Sequence, residues 1–447
     1  MKKFDVIVIG AGPAGGACAS VCAKEGLKVA MIEDYGFGGT CPLRGCNPKK
    51  ILTEAAAMAA QTQGLLGKGL DNMPGINWSD LAKFRDSFLQ NKKEKIQKAY
   101  QNMGIETYNG QACFTDEDRV EVEDNILQGR YFVLATGIKP ARLEIAGEEY
   151  ISTSDEFLAL NHLPARICFI GGGFISFEFA SVAARAGAEV SIVHRSSRVL
   201  KQFDEDLSSG LVEALKDAGV GISLETPLQS VERQEKGFIV RAGKTGAEVS
   251  INADMVVHGA GRIPNTDNLN LEKPGITVTP RGIPVNMHMQ CKSNPRFFAV
   301  GDVAETPFAL TPTGDMEGRT AAANIIQAES ATCHHLGVPR VVYTFPPLCA
   351  VGLLEEEALK ENINLEVIQE DMGEWFSWTN VGQKHAMCKI LIDKDRDIIV
   401  GAHILGSGAD EMANLFAMAI RLRVPVADLK DILWAYPTKG YYFKYMI

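Results

Sequence analysis

The sequence predicts an α/β protein of two Rossmann-like nucleotide-binding domains followed by a C-terminal α+β domain, and three observations carry that expectation. Val6-Ile7-Val8-Ile9 leads into Gly10-Ala11-Gly12-Pro13-Ala14-Gly15, a buried strand entering a Gly-x-Gly-x-x-Gly turn. Ile167-Cys168-Phe169-Ile170 leads into Gly171-Gly172-Gly173-Phe174-Ile175-Ser176, the same pattern with one change. Beyond residue 337, strand-like and helix-like runs alternate without a third such turn. Domains are expected at 1–148, 149–264 and 337–447, with 265–336 completing the first.

In the first turn Gly10 permits the tight bend, Gly12 lets a pyrophosphate approach the backbone, and Gly15 allows the helix to pack closely on the strand. Pro13 and Ala14 open that helix. Glu33 ends the next strand, Val29-Ala30-Met31-Ile32, where a ribose-binding acid is expected. Cys18 and Cys22 lie one turn apart on the helix and read as small apolar residues against a sheet. Cys41 and Cys46 are different. They sit in Gly38-Gly39-Thr40-Cys41-Pro42-Leu43-Arg44-Gly45-Cys46-Asn47-Pro48-Lys49-Lys50, just behind the fingerprint, where a close thiol pair accepts two electrons. Residues five apart in an ideal helix have Cα atoms roughly 8 to 9 Å apart, beyond disulfide reach, so a pairing needs a distorted turn. Pro42 and Gly45 are residues that allow one.

The strand-like run Tyr131-Phe132-Val133-Leu134 ends in Ala135-Thr136-Gly137, with Pro140 following, and marks a crossover. In the second turn Ser176 takes the place of the third glycine and is small enough for close packing. The strand after its helix, Glu189-Val190-Ser191-Ile192-Val193, ends not in an acid but in a basic stretch containing His194, Arg195, Arg198 and Lys201. Cations there favour the 2′-phosphate of NADP, so NADPH is expected in preference to NADH. Further on, the buried run ending in Val300-Gly301-Asp302 presents an acid at a strand's carboxyl end, placed to hold polyol hydroxyls, and Leu310-Thr311-Pro312 precedes another helix.

Composition narrows the class. The 447 residues carry a net charge of −10, which argues against a nucleic-acid partner. Asn91-Lys92-Lys93-Glu94-Lys95 is a short basic run interrupted by Glu94 and reads as a solvated helix face. No apolar run approaches membrane-spanning length, the amino terminus enters a strand at once, and the ten cysteines are mostly scattered. A soluble cytoplasmic protein is expected. No residue set is assigned to a metal.

Together these motifs resemble the flavin-dependent pyridine nucleotide-disulfide oxidoreductases, the family of glutathione reductase, dihydrolipoamide dehydrogenase and mercuric reductase. The resemblance runs from Phe4 to Met446. It implies FAD on the first fingerprint, with Gly39, Thr40, Lys50, Ala135, Thr136, Gly137, Gly301, Asp302, Leu310 and Thr311 contributing. It implies NAD(P)H on the second, with Gly171, Gly173, Phe174, Ile175, Gly261 and Arg262, and a C-terminal domain that builds a homodimer. By position, Cys46 is the thiol beside the flavin and Cys41 the thiol that meets the substrate. Lys49 is placed near the flavin and pairs with Glu178. Phe174 stands where relatives often carry a gating tyrosine.

The chain departs from the family pattern at one point. Disulfide reductases of this kind usually end in a His-Pro-Thr motif with a glutamate five residues after the histidine; here Tyr436 and Tyr441 hold those positions. A phenol, with an unperturbed pKa near 10, is a poor base at neutral pH beside an imidazole near 6.5. The expected function is therefore NADPH-dependent reduction of a small disulfide, glutathione- or lipoamide-like, through FAD and the Cys41–Cys46 pair. The alternatives are reduction of metal ions or quinones, or a redox-sensing protein that has lost turnover.

Overall fold

Nine apolar-rich residues at the amino terminus place a strand, Lys2–Ile9, in the middle of a seven-stranded sheet in the computed structural model, which describes residues 1–447. Contacts divide the chain into two compact units. The first comprises Met1–Pro48, Asp86–Ala141 and Arg262–His335. Its central strand pairs in parallel with Val29–Glu33 on one side and Asn125–Leu134 on the other, and Phe297–Ala299 pairs in parallel with the latter. The registers Ile9↔Ile32, Ile9↔Leu134 and Leu134↔Ala299 bring four chain segments to one carboxyl edge. Three of the expected site segments, at Gly10, Ala135 and Gly301, leave the sheet there. That edge is where a doubly wound sheet binds its ligand.

Two helices, Pro13–Lys24 and Thr311–Ile326, follow the segments that leave this edge and pack against each other. Their approach is close because both are rich in small residues: a Cβ on Gly318 would fall 2.2 Å from the Ala14 carbonyl oxygen. Cys18 and Cys22 are both fully buried in the core beneath, as small apolar side chains.

The second unit comprises Lys49–Arg85, Arg142–Gly261 and Leu336–Ile447. A four-stranded parallel sheet orders Val220–Ser223, Glu189–Val193, Arg166–Ile170 and Met255–His258. A five-stranded antiparallel sheet from Arg340–Val342 to Leu365–Asp371 carries the last segment, packed on the helix Ala409–Leu422. Sequence periodicity suggests separate domains here, yet one apolar cluster holds Phe169, Phe177 and Leu207 together with Val342, Leu348 and Leu405. The helical stretch from Lys49 to Arg85, counted by sequence with the first nucleotide domain, contributes Leu52, Ala56 and Trp78 to the same cluster.

A buried polar network that no motif announces lies in this unit. Lys389 is 4% exposed and pairs with Asp204 (3.0 Å), Asp206 (2.6 Å) and Glu355 (3.3 Å). Asp204 also caps the helix Glu205–Asp217, accepting from the Asp206 and Leu207 amides. Directly opposite Lys389, the fully buried His403 donates through Nε2 to the Leu353 carbonyl (3.1 Å), while its Nδ1 has no partner. Burial pushes this imidazole down to about 4. The unfolded chain takes up a proton at this ring below about 6.5, and the folded chain only below about 4. Stability is therefore untouched above that window and falls as pH drops through it. Urea unfolding is expected to show up to roughly 3 kcal/mol lost from this source between pH 7 and 4.5, and His403→Gln is expected to flatten that slope. An unchanged slope in the variant would assign the acid sensitivity elsewhere.

Candidate active site

The first glycine turn requires its glycines. Gly10 has φ +104, and a Cβ there would sit 2.2 Å from the Ala135 oxygen. A Cβ on Gly15 would sit 2.1 Å from the Gly10 oxygen. Gly39, at φ +66, meets the turn from the other side: its Cβ would lie 2.6 Å from the Gly12 Cα. The cysteine-bearing segment is thus seated directly on the glycine turn. Glu33, 9% exposed, accepts from the Ala11 amide (2.7 Å) through one oxygen and from the Tyr35 and Gly36 amides (3.0 and 3.1 Å) through the other. Expected as a ribose ligand, the carboxylate here also ties the glycine turn to the following loop.

The helix Pro13–Lys24 starts at Gly12 with no side chain capping its first amides, which leaves them for an anion. Thr136 Oγ1 and Thr313 Oγ1 are buried without a partner in the same unit. Asp302, in the short turn Gly301–Val303, is raised above the usual carboxylate range, chiefly by burial, with Arg262 opposing and Glu317 reinforcing the shift. Bare helix amides, orphaned hydroxyls and a desolvated acid at one sheet edge fit a ligand bearing both a pyrophosphate and hydroxyls, such as FAD. Thr313 had no sequence signal, since a threonine in a helix's first turn is common.

The thiol pair is produced by a broken helix. Thr40–Arg44 forms one short helix, Gly45 interrupts it at φ −143 and ψ −113, and Cys46–Gly64 begins another. Glycine suits the position, since a Cβ would crowd the Thr40 oxygen at 3.0 Å. Cys41 and Cys46 are both thiols; Cys41 is pushed well above its ordinary range, most by the neighbouring Cys46 thiol and next by burial. Cys46 Sγ lies 3.5 Å from Thr311 Oγ1. An expected cofactor residue and an expected redox residue therefore meet, although they are 265 positions apart in the chain.

One turn further along the same helix, Lys49 Nζ lies 2.9 Å from Glu178 Oε1, with the side chains 16% and 3% exposed. Glu178 also accepts from the Tyr343 amide at 2.8 Å. Lys49 and Lys50 each stand 4.3 Å from the centre of the Tyr343 ring. Lys50 further pairs with Glu54 at 2.7 Å. Tyr343 escaped sequence reasoning because one aromatic in a strand-like run has no spacing signature.

In the second turn Gly171 has φ +112, and its Cβ would fall 2.3 Å from the Gly259 oxygen. Ser176 is fully buried and fits because Gly259 faces it: a Cβ on Gly259 would meet Ser176 Oγ at 2.1 Å. The helix Phe174–Arg185 begins at Gly173 with no side-chain cap, and Phe174 is 51% exposed at its start. Ile175 packs on the core, and Gly261, at φ +122, has open space around it. Arg195 and Lys201 are exposed. Arg198 instead turns to Glu356 at 3.1 Å. His194, lowered chiefly by burial, bonds to Ser196 Oγ (2.8 Å) and the Arg198 carbonyl (3.2 Å) and so shapes the basic loop from within. Arg262 donates to the Ile138 carbonyl at 2.7 Å.

Tyr436 is 67% exposed and packs edge-on against Tyr441, with ring centres 4.7 Å apart. Tyr441 is lowered from the ordinary phenol range by the Tyr445 hydroxyl and then by Lys444. The two residues that depart from the family pattern are thus in mutual contact, within an aromatic cluster at the carboxyl end.

Residues 4–324 match the pyridine nucleotide-disulphide oxidoreductase family, and residues 338–446 match its dimerisation domain. Glutathione reductase of Burkholderia cepacia is 33% identical over 437 residues, 97% of this chain and 96% of that protein. Dihydrolipoyl dehydrogenase of Bacillus subtilis strain 168 is 31% identical over 98% of this chain and 94% of its own length. Among solved structures, the copper(II) complex of RclA, an HOCl-induced flavoprotein disulfide reductase from Escherichia coli, superimposes with a TM-score of 0.87 at 25% identity, covering 100% of this chain and 99% of that one. No helix is long and apolar enough to cross a membrane.

Proposed function

We propose, from the premise that this chain belongs to the pyridine nucleotide-disulphide oxidoreductase family, that it moves electrons from NADPH through the Cys41–Cys46 pair to a small disulfide. The family is FAD-dependent and uses pyridine nucleotides, and the dimerisation domain supports a homodimer. Bound FAD supplies the conversion of a hydride into an electron pair delivered to a neighbouring disulfide. The chain's own residues do the rest. Cys46 releases its bond to Cys41 on reduction; the Cys41 thiolate then attacks the acceptor disulfide, and Cys46 resolves the mixed disulfide, returning the pair to its oxidised form. NADPH, one proton and RSSR become NADP⁺ and two RSH. The observation that carries the reading is the buried Lys49–Glu178 pair at 2.9 Å, one helical turn from Cys46. It holds a cation one helical turn along the chain from Cys46, which would favour a thiolate at that end of the helix.

Tyr436 and Tyr441 bear on the acceptor. A phenol donates a hydrogen bond to a thiolate but is a weak base at neutral pH. A thiophilic metal ion or a quinone, which needs no proton delivered to a leaving thiolate, is the second reading, and these two phenols are the observation that favours it. A panel of disulfides, metal ions and quinones under one assay decides between them.

Nucleotide preference is tested on Arg195 and Lys201, the exposed cations of the basic loop. The wild-type enzyme is expected to use NADPH with a kcat/KM at least about tenfold above that for NADH, each phosphate contact being worth on the order of 1 kcal/mol or more. Arg195→Ser with Lys201→Ser is expected to remove that preference while leaving NADH kinetics in place. Equal use of the two nucleotides by the parent enzyme would refute the assignment.

A further inference from the structure

Glu317, Cys333 and His335 form a cluster that the electron path does not use. Glu317 lies inside the helix Thr311–Ile326 and is fully buried; Cys333 and His335 lie on the segment that follows that helix and are partly buried. One imidazole nitrogen faces both other groups: His335 Nε2 is 3.0 Å from Glu317 Oε1 and 3.8 Å from Cys333 Sγ. All three ligand atoms fall within 4.8 Å of one another.

A single N–H on Nε2 points at one acceptor, so it serves the carboxylate or the sulfur and not both. A metal ion at the centre of the triangle serves all three. Tetrahedral zinc, with bonds of about 2.3 Å to sulfur and about 2.0–2.1 Å to nitrogen and oxygen, sets S···N near ~3.6 Å and N···O near ~3.3 Å. The observed separations are within a few tenths of an ångström of both. The ligands are also held in place from behind. The Cys333 amide donates to the Met287 carbonyl at 2.8 Å, the second Glu317 oxygen accepts from the Gly301 amide at 2.7 Å, and the His335 ring stands edge-on to Phe308.

We propose that Glu317, Cys333 and His335 bind a thiophilic divalent transition metal of the zinc class, clipping the segment after the helix Thr311–Ile326 back onto that helix. Thiolate, imidazole and carboxylate together select zinc-like ions over magnesium or calcium. On binding, the Cys333 S–H bond breaks and an S–metal bond forms, the protons of the thiol and of Nε2 pass to solvent, and water completes the fourth position.

The test uses FAD-loaded enzyme carrying Cys41→Ser and Cys46→Ser, so that the redox dithiol does not compete for the probe, Zn²⁺. Chelator competition is expected to find one tightly held ion per chain, and X-ray absorption to find one sulfur at about 2.3 Å with nitrogen and oxygen at about 2.0–2.1 Å. Adding Cys333→Ser is expected to abolish the sulfur shell and weaken binding at least about tenfold; adding Cys333→His in its place is expected to recover affinity with a nitrogen shell. Absence of zinc binding in the parent, a shell without sulfur, or a sulfur shell that survives Cys333→Ser would each overturn the site.

Discussion

Cys46→Ser is expected to lower NADPH-driven disulfide reduction at least about a thousandfold, the scale on which loss of a covalent catalytic group is felt. A serine hydroxyl neither forms a disulfide nor leaves as a stable anion, so the electron pair has nowhere to rest between nucleotide and acceptor. Cys41→Ser is expected to stop turnover to the same extent while leaving a single thiol at position 46, in contact with Thr311. The two variants are separated by alkylation of the FAD-loaded enzyme: the Cys41→Ser enzyme keeps Cys46, the thiol assigned to the flavin side, and the Cys46→Ser enzyme keeps Cys41, the thiol assigned to the acceptor side, freed of the neighbour that is the largest reason for its raised range. Faster modification of Cys41 than of Cys46 at neutral pH is the expected result. Quinone reduction measured on the same samples is the control. If disulfide turnover persists in either serine variant, the relay through the pair is wrong; if quinone turnover alone persists, electrons reach that acceptor without the thiols.

Lys49→Met is expected to cost about 3 kcal/mol of stability, the lower end of the range for stripping one partner from a buried pair. Glu178 is 3% exposed, and removal of its cation leaves the carboxylate with only the Tyr343 amide as a near donor. Lys49→Met combined with Glu178→Leu is expected to recover most of that loss, because two apolar side chains of similar size no longer bury a charge. Urea midpoints at unchanged m-value measure both outcomes. Disulfide reduction separates the structural role from the chemical one. It is expected to stay impaired, by about tenfold or more, in the stable double variant, since the fixed cation one turn from Cys46 is gone. Full activity in that variant would reduce the pair to a packing device.

Much of the architecture was legible because glycine turns are local. Gly10, Gly15, Gly39 and Gly171 sit where a Cβ has no room or the backbone takes a positive φ, and such demands print directly onto sequence. The Thr40–Arg44 to Cys46–Gly64 break was likewise signalled by Pro42 and Gly45. Tyr343, Thr313 and the Lys389 network were not legible. Each depends on a partner distant in the chain, and one aromatic, hydroxyl or lysine carries no periodicity of its own.

The sequence by itself determined the two glycine turns and the thiol pair, since each is a matter of residue type at short spacing, and the family resemblance marked Tyr436 and Tyr441 as departures from its usual histidine and glutamate. Only the tertiary structure decided how chain segments are grouped. The run from Lys49 to Arg85 and the last segment share one apolar core with the second nucleotide turn, because burial follows the surfaces that helices and strands present rather than their order along the chain. It also decided which charges are committed. Arg198 turns to Glu356 while Arg195 and Lys201 face solvent, and Glu317, Cys333 and His335 converge on one point, because only folding sets which side chains lie within a few ångströms of each other.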